Sequence, residues 1–126
     1  MSRILIVDDV PAVRATWRDI LEEAGHEVLE AADGSKALPI LSREPVDLVM
    51  TDIFMPDKDG IETITEIRSA RPDVKIIAAS GYAENRTSPY LRIAQHLGAD
   101  AVLGKPIDSE ELVSTVAQVL TRSTQQ

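Results

Sequence analysis

The 126-residue chain has no cysteine, which excludes a disulfide framework, a thiolate metal site and a cysteine nucleophile. Positive charge is short: 13 Lys and Arg face 21 Asp and Glu, a formal net charge of −8. That balance argues against nucleic acid or an anionic membrane surface as the main partner, since both are bound through a basic footprint. No apolar run approaches the roughly 20 residues of a membrane span. The start, MSRILIVDDV, places two carboxylates straight after a very short apolar run, which no signal peptide does. Six Gly and seven Pro are too few for a fibrous chain, and 44% hydrophobic residues are too many for a disordered one. The expectation is a cytoplasmic protein with one ordinary domain over residues 1–121 and a polar tail at 122–126.

Two kinds of segment alternate along the chain. Ile4–Val7, Val46–Met50, Val74–Ala79 and Ala101–Leu103 are short and apolar on both faces, as central strands of a parallel sheet covered on both sides must be. Glu27–Ala31 carries charges at its first and fourth positions and reads as a less buried edge strand.

Between them lie helical stretches. In Pro11–Ala24 the residues Val13, Trp17, Ile20, Leu21 and Ala24 share one helix face, with Pro11 suited to the first turn and Gly25 to the position after the end. A second helix is expected after Asp33 as N-cap, reaching about Arg43, with a kink or break at Pro39. A third spans Gly60 to Ala70. A fourth opens at Ser88 and Pro89 and stops at Gly98, and the last starts from Asp108 and Glu111 in capping-box spacing. Five strand–helix units with right-handed crossovers make a doubly wound α/β sheet with helices on both faces. Such sheets bind ligands at the carboxyl ends of their strands.

Those ends carry chemistry. The first strand ends in Asp8 and Asp9, the third in Thr51 and Asp52, the fourth in Ser80, and the fifth runs through Gly104 into Lys105. Clustered carboxylates do not all ionise comfortably unless a cation sits among them, and oxygen ligands of this kind suit a hard divalent ion such as Mg2+. A carboxylate beside a metal and a lysine is also a nucleophile towards phosphorus, with the two cations neutralising the transferred group and Ser80 placed to hydrogen-bond it. A phosphoryl group adds about −1.5 to −2 of charge, enough to reorder nearby loops. This is the outline of a switch rather than of a turnover enzyme.

Leu5-Ile6-Val7-Asp8-Asp9, Asp52-Ile53-Phe54-Met55-Pro56 with Asp59-Gly60, Ser80-Gly81, Gly98-Ala99-Asp100 and Lys105-Pro106, in this order, resemble the response-regulator receiver domains of two-component signalling. The resemblance spans about residues 2–120. It implies a flavodoxin-like five-stranded sheet in the order 2-1-3-4-5. It makes Asp52 the phosphoacceptor and Lys105 the phosphate-binding lysine, with Ser80 as the hydroxyl switch. Mg2+ (or Mn2+) would be held by Asp9, Asp52 and the Phe54 backbone carbonyl, and by Asp8 through water. The Lys105–Pro106 bond would be cis. The implied partners are a histidine kinase or phosphotransfer protein as donor and a downstream effector protein, with no nucleic acid and no membrane bound by this domain. The alternative is a pseudo-receiver, an interaction module that works without phosphorylation.

Some positions depart from the family pattern. Val102 stands where an aromatic reporter is common, so a rotating-aromatic readout is not expected. Phe54 and Tyr82 sit two residues after Asp52 and Ser80, where bulk should obstruct hydrolytic water and prolong the life of the phosphoryl group. Gly81–Ser88 reads as a long polar loop that orders on phosphorylation. Trp17 is read as core, and His26 and His96, next to helix-ending glycines, as surface residues.

Overall fold

Apolar residues that alternate within a strand can bury both of its faces only if helices cover the sheet from two sides. A computed structural model, which describes residues 2–52, 60–80, 98–104 and 107–121, has this arrangement. The elements are β1 (Arg3–Val7), α1 (Pro11–Glu23), β2 (Glu27–Ala31), α2 (Gly34–Arg43), β3 (Leu48–Asp52), α3 (Gly60–Ala70), β4 (Lys75–Ser80), β5 (Ala101–Gly104) and α4 (Ser109–Thr121). The five strands form one parallel sheet in the order β2-β1-β3-β4-β5, which leaves β2 at an edge as its charges predict.

Successive side chains point to opposite faces, so β1 serves two cores. Ile4 and Ile6 pack with Leu48, Met50 and Ile77 beneath Trp17 and Leu21 of α1 and Leu112, Val116 and Val119 of α4. Leu5 and Val7 pack with Val49, Ile76 and Ala78 beneath Ala37 and Leu41 of α2 and Ile64 and Ile67 of α3. Val102 of β5 joins this second cluster and is only half-buried. Every residue from Ile4 to Val7 is completely buried. Truncating one such aliphatic side chain to Ala costs about 2–5 kcal/mol.

The helix ends follow the sequence closely. Pro11 begins α1, Ala24 closes it, and Gly25 takes φ 100°, where a side chain would be strained. The Asp33 carboxylate caps α2 by accepting from the Lys36 N–H at 3.0 Å and the Ser35 hydroxyl at 2.6 Å, which hold it below its ordinary pKa. Asp108 Oδ2 likewise accepts from the N–H groups of Glu110 and Glu111 at the start of α4.

Three expectations need correction. Of the kink or break expected at Pro39, the break does not occur: α2 runs through it from Gly34 to Arg43. Proline's missing N–H would have bonded the Ser35 carbonyl, and both residues are exposed, where solvent can offset that loss. His26 is half-buried rather than superficial, with its Nδ1 buried and without a hydrogen-bond partner among the described residues. β3 and β4 start later than their apolar runs and end on polar residues. Val46 and Val74 are buried lead-ins, since apolarity marks burial and not ladder pairing. The helix expected from Ser88 to Gly98 lies, but for Gly98, outside the described residues, as do the loop Gly81–Ser88, His96 and the tail 122–126.

Candidate functional site

Parallel pairing brings every strand's carboxyl end to one rim. Val7 is in register with Thr51 and Asp52 with Ala79, so one further step sets Asp8 beside Asp52, with Ser80 on the other side. Ser80 is in register with Gly104, the last residue before Lys105. The described part of the site therefore consists of Asp8, Asp9 and Asp52, with the backbone of Ser80. Phe54, Tyr82, Lys105 and Pro106 lie outside the described residues.

The three carboxylates converge. One oxygen from each of Asp8, Asp9 and Asp52 lies within 4.8 Å of the others. Asp8 is completely buried and Asp52 is 5% exposed, whereas Asp9 is open to solvent. Two charges at such a separation repel by roughly 3 kcal/mol at an effective dielectric of about 20. Clustered, partly buried carboxylate oxygens of this kind match the hard, oxygen-seeking chemistry of Mg2+ or Mn2+. The donor set fits the ion.

Local hydrogen bonds hold the first of these residues in place. The Asp8 N–H donates to the Ala31 carbonyl at 3.2 Å, and Asp8 Oδ1 accepts from the Val10 N–H at 2.8 Å. That second bond shapes the turn into α1, whose N-cap residue Val10 offers no side-chain cap of its own. The Asp8 carbonyl accepts from Arg14 Nη1 at 2.6 Å. Arg14 Nε in turn donates to Glu30 of β2 at 2.9 Å, and Arg18 Nη1 donates to the other Glu30 oxygen at 2.7 Å. Arg18, then Arg14, hold the Glu30 carboxyl below its ordinary pKa against the opposing effect of burial.

Reading the residues in sequence singles out Asp8, Asp9 and Asp52, and the structure brings them together. It does not find Arg14 or Glu30, which stand sixteen positions apart in different elements. The available signal was a charged residue within β2 and an arginine pair spaced by one helix turn, Arg14 and Arg18, to meet it.

Comparison with known proteins agrees with this geometry. The family model for the response regulator receiver domain matches residues 4–117. The sensor kinase CckA of Brucella abortus is 38% identical over 124 residues, a match covering 94% of this chain and 12% of the kinase. The transcriptional regulatory protein CpxR of Klebsiella pneumoniae is 36% identical over 124 residues, covering 98% of this chain and 51% of that protein. This chain thus spans about half of CpxR and about an eighth of CckA. Among solved structures, the response regulator TrrA of Thermotoga maritima, in complex with Mg2+ and BeF, superposes with a TM-score of 0.83 at 34% identity. That match covers 94% of this chain and 99% of TrrA. No described helix is long and apolar enough to cross a membrane. With the sheet order, the rim of acids and the family match in agreement, the chain belongs to the response-regulator receiver domains of two-component systems.

Proposed function

We propose that this chain is a Mg2+-dependent phosphoacceptor: Asp52 takes a phosphoryl group from a histidine kinase or phosphotransfer protein, and the altered surface then binds a downstream effector protein. The observation that carries this reading is the convergence of the Asp8, Asp9 and Asp52 carboxylates at the centre of the strand-end rim. Its support from relatives is that TrrA is described in complex with Mg2+ and BeF.

In this reading an Asp52 oxygen attacks phosphorus while the donor's nitrogen–phosphorus bond breaks, and the bonding pair returns to the donor nitrogen. Asp9, Asp52 and the Phe54 carbonyl would hold the divalent ion, with Asp8 acting through water, and the ion would supply charge neutralisation at the phosphoryl oxygens. Lys105 pairs with a phosphoryl oxygen, and the Ser80 hydroxyl donates to another. Burial of Asp8 and Asp52 strengthens each of these interactions relative to water. The chain assists its own modification and is not a turnover enzyme. We place its work in the cytoplasm.

The test is intact-mass analysis after incubation with acetyl phosphate, with and without Mg2+. One added phosphoryl group that requires Mg2+ and is lost in Asp52→Ala is expected. No metal-dependent addition overturns the reading and favours the pseudo-receiver.

A further inference from the structure

The Asp8 backbone is tied at both ends. Its N–H donates to Ala31 of β2, and its carbonyl receives Arg14 Nη1 at 2.6 Å. The Arg14 side chain is itself clamped: its Nε donates to Glu30 Oε1 at 2.9 Å, and Glu30 Oε2 is held by Arg18 at 2.7 Å. Arg14 is 17% exposed and Glu30 27%, so water competes weakly for these charge-assisted bonds.

The Asp8 carbonyl and the Asp9 N–H belong to one rigid, planar peptide unit. Fixing its oxygen fixes the plane, and with it the direction in which the Asp9 Cα and carboxylate depart. Asp9 is exposed, and burial does little to hold it. Its place within 4.8 Å of Asp8 and Asp52 depends on the peptide behind it. Partners behind metal ligands commonly set affinity in this way. The guanidinium also brings positive charge near the cluster, which by itself would oppose a cation. Positioning and charge therefore predict opposite effects of removing Arg14.

We propose that Arg14, clamped by Glu30, is a positioning residue: it orients the Asp8–Asp9 peptide and so sets the affinity of the carboxylate cluster for a divalent cation. This rests on the assignment of Asp8, Asp9 and Asp52 as the cation's ligands.

The experiment is titration with Mn2+ alone, read by the electron paramagnetic resonance of the free ion, on the native chain and on Arg14→Ala, Arg14→Lys, Glu30→Gln and Arg3→Ala. Arg3 serves as the control. It bridges Glu27 and Glu44 at the opposite end of β1, away from the cluster. Arg14→Ala should weaken Mn2+ binding by roughly tenfold or more. Arg14→Lys should recover part of this, since an ammonium can reach the carbonyl without also bridging Glu30. Glu30→Gln should lose less than Arg14→Ala, and Arg3→Ala should match the native chain. With acetyl phosphate, Arg14→Ala should need more Mg2+ for half-maximal modification of Asp52 yet reach the native maximal rate.

Unchanged or tighter Mn2+ binding by Arg14→Ala overturns the proposal, as does an equal loss in Arg3→Ala. If Arg14→Ala does not fold, native affinity in both Arg14→Lys and Glu30→Gln overturns it. Absence of Mn2+ binding by the native chain overturns the cation assignment and this inference together; binding that ignores Arg14 overturns the inference alone.

Discussion

Arg68 Nη2 donates to the Gly98 carbonyl at 2.7 Å, fastening α3 to the turn that leads into β5. The same guanidinium donates to the carbonyls of Pro72 and Val74 and to Asp100, and Asp100 accepts the Ile76 N–H. One side chain thus closes the amino-terminal end of β4 and β5, opposite the acidic rim. Arg68→Ala should cost about 2–4 kcal/mol, because three carbonyls and a carboxylate lose a charged donor at once. Gly98 has φ 119°, and a Cβ there would stand 3.0 Å from Arg68 Nε. Gly98→Ala should therefore cost less in an Arg68→Ala background than alone. Urea midpoints of the four chains check both statements, and strictly additive losses would contradict the contact.

Acid should destabilise the fold in two stages, the first from His26 and the second from Glu30 together with Asp33. Burial, and secondarily the amino terminus, hold His26 below its ordinary pKa of 6.5, so the folded state favours the neutral ring. The unfolded chain then binds the proton more readily, and this stability, complete above about pH 6.5, declines as pH falls through the lower folded value. Glu30 is held below its ordinary 4.5 by Arg18 and Arg14, so its contribution is complete above that pH and lost only in stronger acid. His26→Gln should flatten the first stage and Glu30→Gln lessen the second, in thermal midpoints followed from about pH 8 to pH 3. A native midpoint that stays level from about pH 7.5 to 5.5 would refute the His26 assignment.

If the acidic rim takes Mg2+ as proposed, leaving the ion out should leave its carboxylates repelling one another. At a concentration a hundredfold above its Kd, Mg2+ should raise stability by about 2.7 kcal/mol, by mass action on the folded state. Asp52→Asn keeps an acceptor oxygen but removes one of three charges within 4.8 Å of each other. Without Mg2+ it should melt above the native chain, and with Mg2+ it should gain less. Differential scanning calorimetry at matched ionic strength checks this; a native midpoint indifferent to Mg2+ is the contrary result.

Much of this was legible in the sequence because two periodicities report it directly. Trp17 and Leu21 follow the helical repeat and are buried, and Asp33 stands where α2 begins. Asp8, Asp9 and Asp52 could be joined because all strands of a parallel sheet end at one rim. The arginine clamps were not legible. Arg14 meets Glu30 and Arg68 meets Asp100 across sequence separations that no local pattern records. Pro39 misled for a physical reason: proline's cost in a helix depends on whether the orphaned carbonyl can reach water, and composition does not state exposure. His26 was misplaced likewise, since a glycine neighbour says nothing of what covers a ring.

The alternation of β1 has a further consequence for how substitutions combine. Leu5 and Ile6 never share a core: one lies under α2 and α3, the other under α1 and α4, yet both hang from the same four buried residues. A close-packed interior relaxes a cavity mainly by shifting backbone towards it. Such a shift of β1 must open a gap on the other side. Leu5→Ala and Ile6→Ala should accordingly show epistasis, with the double variant losing more than the sum of the single losses. The strand is a partition, and neither compartment can be refitted without disturbing the other.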